Sequence, residues 1–267
     1  MCDSKHPPIL RNKDYNHPSI FTPDNLLREA KRQKNIADHK VPRICLLDPD
    51  GDIVQNLLAE NKASINPYWA CYHTKMYIFQ YEEIEYGIIG YAVGSSFSVL
   101  VAEELFASGC QLLLSMSSAG QIIAKTKLPY FILIEKALRD EGTSYHYLPP
   151  ADFSTIKQDI HDIAAEVLAE SPLPIYLGAT WTTDAPFRET ASSIENIRAL
   201  GILAVEMEAA ALYAFSQAKD KPVLCFAHVT NQMGSIEGDF EKGFDNGSDD
   251  CIQLIHIAAK AWLIRKL

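Results

Sequence analysis

The sequence contains neither G-x-G-x-x-G nor G-x-x-x-x-G-K-[ST], so the common glycine-rich cradles for dinucleotides and triphosphates are missing, and only 13 glycines occur in 267 residues. Cysteine gives no framework either. The six cysteines, at positions 2, 45, 71, 110, 225 and 251, show no C-x-x-C or Cys/His spacing and fall mostly in apolar runs, the pattern of reduced core thiols rather than of a zinc site. Positive charge is scarce: the net charge is -10 and the densest basic stretch is REAKRQK at 28–34, which excludes a sequence-independent grip on nucleic acid. No apolar run approaches the roughly 18 residues of a membrane span, and the start lacks a basic-then-apolar leader. A cytoplasmic protein with no membrane partner is the expectation.

Internal repeats and linkers are missing too, and 48% hydrophobic residues suffice for one large core. The polar start, MCDSKHPPILRNKDYNHPS, reads as an arm, so residues 1–40 are assigned to an N-terminal arm and first helix and 41–267 to a single domain. Within that domain, strand-length apolar runs recur at 43–48, 75–81, 84–94, 111–117, 130–138, 174–181, 202–207 and 222–230. Helical patterns lie at 95–109, 155–171 and 208–220, and another closes the chain. Near-continuous hydrophobic strands alternating with helices predict an α/β fold: a three-layer α/β/α sandwich around a largely parallel, twisted mixed sheet.

In such sheets ligands bind beyond the carboxyl ends of the strands, where this chain carries DPDGD, SMSSAGQ, RDEGTSYHY, WTTDAPFRET, EMEAA and TNQMGS. Glu206 and Glu208 flank Met207 where a strand meets an alanine-rich helix. A carboxylate there either stabilises the helix N-terminus or offers two acceptor oxygens to a vicinal diol, and once the helix begins the two side chains diverge. SMSSAGQ, with Ser118 and Gly120, is either an oxyanion-binding loop or a tight turn. Thr182, Phe187 and Arg188 in WTTDAPFRET have the make-up of a site for a flat polar heterocycle, with Asn231 able to donate to and accept from a base edge. Each segment also reads as an ordinary turn, and Arg139, Asp140 and Glu141 as a structural ion cluster.

Taken in order, VEMEAAALYAF (205–215), GYAVGSSFSVLVAEEL (90–105), SSAGQI (117–122) and ALRDEGTSYHYLPP (137–150) resemble the nucleoside phosphorylase family, which includes uridine phosphorylase and the hexameric purine nucleoside phosphorylases. The resemblance covers roughly 40–260. It implies cleavage of the N-glycosidic bond of a purine or pyrimidine ribonucleoside, with inorganic phosphate as co-substrate and no metal or other cofactor. It implies Glu208 and Asn231 as catalytic residues, Glu208 on the ribose 2′ and 3′ hydroxyls, Met207 packed under the sugar and Glu206 nearby. Ser118 and Gly120 would flank sugar and base, and Thr182, Phe187 and Arg188 would contact the base. A homodimer or homohexamer is implied, with His17, or else His73, reaching a neighbouring subunit's sugar.

Two departures concern phosphate. The family's G-D-P-x-R loop reads LDPDGDIV here (47–54), and the position of its second phosphate arginine is Ser115. A dianion needs charge-assisted donors, which Asp48, Asp50 and Asp52 do not supply, though Lys75, Lys125, Lys127 or Arg188 could stand in. Water is therefore the alternative acceptor, with Asp48, Asp50 or Asp184 as general base. A non-catalytic nucleoside-binding protein is the other alternative.

Overall fold

The computed structural model describes residues 7–265; Cys2 lies outside that range. In chain order the elements are α1 (Pro23–Lys34), β1 (Ile44–Asp48), α2 (Asp52–Ala59), β2 (Ala63–Ile65), β3 (Tyr77–Tyr81), β4 (Ile84–Gly90), α3 (Ser95–Ala107), β5 (Leu112–Gln121) and β6 (Tyr130–Asp140). There follow β7 (Phe153–Thr155), α4 (Gln158–Glu170), β8 (Ile175–Thr183), α5 (Ala191–Ala199), β9 (Ala204–Glu206), α6 (Ala209–Lys219), β10 (Val223–Asn231) and α7 (Ser248–Ile264). α1 starts where its sequence says it should: the Thr22 hydroxyl accepts the Asn25 N–H, Pro23 opens the first turn, and Asn35 ends the helix in the left-handed region.

Every residue of β1 and β10 is buried, because both faces of the sheet are covered. α1, α3 and α6 pack together on one face and α2, α4 and α7 on the other. The sheet is mixed. β4, β1, β5 and β10 run parallel, as do β6, β8 and β9, while β10–β6 and β5–β9 pair antiparallel. Those two antiparallel pairings close β5, β10, β6, β8 and β9 into a ring, and β1, β4, β3 and β2 extend from it as an open wing. The closing contact is short, Gly120 opposite Val205 and Gln121 opposite Ala204, with Asn231 opposite Gly120 on the other side. The ring thus gathers the ends of three strands that are far apart in sequence.

The 139–141 segment differs from the expected ion cluster. Buried Arg139 donates to the Ser144 hydroxyl (2.8 Å) and to the carbonyls of Leu148 and Pro149, and its guanidinium lies over the Tyr145 ring. Glu141 instead accepts the N–H groups of Thr143 and Ser144. Arginine's five donors tie down the 144–149 segment through carbonyls, with no carboxylate needed.

Candidate active site

β9 and α6 meet at Glu206, Met207 and Glu208, and the two glutamates, both 3% exposed, take different work. Glu206 faces inward. Its Oε1 accepts the hydroxyls of Thr180 and Thr182, and its Oε2 accepts the N–H groups of Glu208 and Ala209, each at 2.7 Å. It satisfies the first donors of α6, which no hydroxyl at the helix start caps. Thr182 belongs to the same scaffold, since it is fully buried and its oxygen also accepts the Ala210 N–H at 2.9 Å. Its hydroxyl hydrogen and one of its two acceptor positions are thus taken up inside the protein.

Glu208 turns the other way, toward the start of α3. The Gly94 N–H donates to its Oε1 at 2.7 Å, and the Met207 N–H to its Oε2 at 3.2 Å. Gly94 presents that N–H from a left-handed turn (φ 86°), with open space where a side chain would stand. Ser95 fastens the two elements by donating its hydroxyl to the Met207 carbonyl at 2.8 Å. Burial, then repulsion from Glu206, pushes the Glu208 carboxyl up to about 8; the Gly94 and Met207 N–H groups and Ser117 oppose the rise. The carboxylate lies between the N-termini of α3 and α6, where helix dipoles favour its charged form.

On the neighbouring strands, Asn231 is 6% exposed. Its side-chain oxygen accepts the Met233 N–H (2.8 Å), and its amide reaches the Thr230 hydroxyl (3.2 Å) and the Ala119 carbonyl (3.4 Å). Gly120 lies against it: a β-carbon there would come within 2.8 Å of Met233 Cγ and 3.2 Å of Asn231 Oδ1. Beside this junction opens a cavity of about 630 Å³ lined in part by Gln121, Phe187, Glu189, Arg198, Gln232 and Met233. The Phe187 ring is 99% exposed, an apolar face unoccupied by the protein itself. Arg188 is exposed and does not line the cavity. His17 lies on the N-terminal segment, paired with Asp14 at 2.7 Å and 79% exposed, and does not reach these residues within its own chain.

Where the ends of β1, β5 and β10 come together, Ser118 lines a small cavity of about 20 Å³ together with Asp48, Asp50, Asp52, His228 and Lys242. The Lys242 ammonium lies 2.6 Å from Asp50 Oδ2 and also bonds Asp52, while the Asn246 amide donates to Asp52. Asp48 accepts the N–H groups of Gly51 and Val54, yet burial first, and then Asp52 and Asp50, push its carboxyl up to about 7. His228 stacks on Phe131 (4.6 Å), and burial, with Lys242 nearby, holds its pKa down to about 4. None of Lys75, Lys125, Lys127 and Arg188 lines this cavity; the cation there is Lys242. The hydroxyl of Ser115 is buried and has no hydrogen-bond partner among the described residues. Asp184 is elsewhere, accepting the Gly142 N–H at 2.8 Å. Lys242, His228, Arg198 and Glu189 were not singled out by sequence; only the folded chain brings them to strand ends.

A ring-closed mixed sheet, a buried carboxylate at a strand-to-helix junction and a cavity with an exposed aromatic ring thus meet in one α/β protein. A family model described as the phosphorylase superfamily matches residues 43–260, so the chain belongs to that superfamily. The purine nucleoside phosphorylase DeoD-type of Brevibacillus brevis is 25% identical over 171 residues, 64% of this chain and 72% of that protein. That of Bacillus velezensis is 28% identical over 144 residues, 52% of this chain and 60% of the relative. Among solved structures, the 5′-methylthioadenosine/S-adenosyl homocysteine nucleosidase of Campylobacter jejuni superposes with a TM-score of 0.67 at 18% identity, covering 82% of this chain and 100% of that one. Uridine phosphorylase from Vibrio fischeri ES114 gives a TM-score of 0.67 at 18% identity, covering 85% and 94%. The structural likenesses establish the fold. Solved proteins of this fold thus include a nucleoside phosphorylase and a nucleosidase. No helix among the described residues is long and apolar enough to cross a membrane.

Proposed function

We propose that this protein cleaves the N-glycosidic bond of a ribonucleoside with water as the acceptor. Glu208 receives the ribose 2′ and 3′ hydroxyls, Met207 underlies the sugar, the base stacks on Phe187 in the 630 Å³ cavity, and Asn231, hydrogen-bonded to Met233 on the cavity wall, accepts from the base edge through the remaining lone pair of Oδ1. As the C–N bond breaks, its electron pair leaves with the base and positive charge builds on the ribose, which the buried carboxylate stabilises. Water then adds to the anomeric carbon and gives up a proton to a carboxylate, while the departing base takes up a proton at the nitrogen that held the sugar. Asp48, with a pKa near 7, is matched to that task at neutral pH.

The observation that carries water over phosphate is the cavity beside Ser118. About 20 Å³ holds one water molecule and not a phosphate, and its walls are three aspartates whose one close cation, Lys242, is already paired with two of them. Phosphorolysis is the second reading, favoured by the phosphorylase names of the sequence relatives.

The test is chromatography of purified protein incubated with a panel of nucleosides, in phosphate-containing and in phosphate-free buffer. Free base and free ribose at equal rates in both buffers are expected. Release only with phosphate, together with ribose 1-phosphate, would replace hydrolysis by phosphorolysis. No release from any nucleoside would leave a nucleoside-binding protein.

A further inference from the structure

We propose that a second cavity, walled by the N-terminal segment, α1 and α3, binds a small organic cation: an amine or amidinium carried on an apolar body. The cavity measures about 310 Å³, at the lower end of small-molecule sites, and shares no lining residue with the cavities described above. Val99, Leu100, Glu103 and Glu104 of α3 face Phe21 and Leu26 across it. Its walls are apolar apart from hydroxyls and two carboxylates, and no lysine, arginine or histidine lines it.

The decisive group is Glu104. It is 2% exposed, and neither carboxyl oxygen meets hydrogen-bond geometry with an N–H or O–H donor among the described residues; the one side-chain donor that approaches it is the weak thiol of Cys71. A buried carboxyl without donors is costly, and native structures seldom leave one so unless a ligand or ion completes it. Two basic side chains, His73 and Lys34, act on it from nearby without bonding it, and Lys34 donates instead to the carbonyls of Ala70 (2.9 Å) and Cys71 (2.6 Å). Glu103, by contrast, already accepts the Tyr147 hydroxyl at 3.0 Å. A ligand entering here meets apolar walls and, at Glu104, two acceptor oxygens awaiting N–H donors. Anions are repelled and neutral apolar molecules leave the carboxylate unsatisfied, so a cation with N–H groups is the class that fits.

The experiment is isothermal calorimetry of the full chain with phenethylamine and with benzamidine, using 2-phenylethanol as the uncharged control. Saturable binding of both cations and none of the alcohol is expected. Glu104→Gln should weaken the cations at least tenfold. Leu100→Trp, which fills the cavity from its 38%-exposed rim without touching a charge, should do the same and covers the case of a misfolded glutamine variant. The proposal falls if neither cation binds at millimolar concentration, if the alcohol binds as well as the amine, or if a folded variant of either kind keeps wild-type affinity.

Discussion

The main-chain N–H of Glu208 donates to Glu206 Oε2 at 2.7 Å, so the carboxylate that anchors α6 and the one turned toward the start of α3 are joined by a hydrogen bond through the backbone. Both are raised by burial. Glu206 is opposed by four donors, and its charge is one of the forces holding Glu208 up. Glu208→Gln keeps the shape and removes the charge proposed to stabilise a developing ribosyl cation. Turnover should drop on the order of a hundredfold or more, the scale of losing one well-placed electrostatic group, while thermal stability holds or rises. A variant releasing base at the wild-type rate would remove Glu208 from the mechanism.

The same pair predicts a pH profile. If ionised Glu208 is the active form, the rate climbs as pH rises through about 8. Replacing Glu206 by Gln removes the repulsion and moves that limb to lower pH, at some cost in stability because one acceptor of the α6 N-terminus becomes a donor. Rate against pH for both proteins decides it; coincident limbs would mean that Glu206 does not tune its neighbour.

Asp48 ties stability to pH. Its folded-state pKa, near 7 against an ordinary 3.8, means that the folded protein holds a proton the unfolded chain gives up between those values. The contribution is complete below about pH 4 and is lost as pH rises through about 7. A shift of this size corresponds to about 4 kcal/mol at most. Asp48→Asn cannot titrate, so its stability relative to wild type should improve by roughly 2–4 kcal/mol between about pH 4 and pH 8 in urea melts. A difference that stays flat across that range would contradict the raised pKa.

Which parts of this were readable in advance follows from where the information resides. The buried strands announce themselves as continuous apolar runs because both sheet faces are covered. α5 escaped because it has no buried residue and hence no apolar stripe. α2 escaped because DPDG dominates its start, although Ile53, Val54 and Leu57 bury one face at helical spacing. The ring closure rests on β9, three residues long, too short for any periodic signal. At the site, Glu206 ends β9 and Glu208 precedes the first residue of α6, so their divergence is set by the turn between the two elements, and Glu206 turns inward to Thr180 and Thr182 on another strand. Lys242 is separated by some 190 positions from the aspartates it joins, and no local pattern marks a residue whose role is set by tertiary contact.

That lysine makes the acceptor question testable by mutation. Lys242→Ala leaves Asp50 and Asp52 without their cation and should destabilise the protein by about 1–3 kcal/mol, less than for a fully buried pair because the groups are partly solvated. The combined Asp50→Asn and Asp52→Asn variant does the reverse, freeing the ammonium and removing two negative charges. It should gain thermal stabilisation from phosphate that wild type lacks. Equal response to phosphate in both proteins would mean that the aspartates do not exclude the anion.

Gly120 provides a test that separates site from fold. Its β-carbon position lies 2.8 Å from Met233 Cγ and 3.2 Å from both Asn231 Oδ1 and Val205 Cγ1. The nearest of these belongs to a flexible methionine, so Gly120→Ala folds by moving Met233 aside, at about 1–3 kcal/mol for the added methyl group. Met233 also lines the 630 Å³ cavity, so its displacement narrows the space proposed for the base. KM for the preferred nucleoside should therefore rise about tenfold or more, an energy comparable to one misfitted methyl group. The circular dichroism spectrum should stay that of wild type. Unchanged kinetics in a folded Gly120→Ala protein would place the base somewhere other than beside Gly120 and Met233.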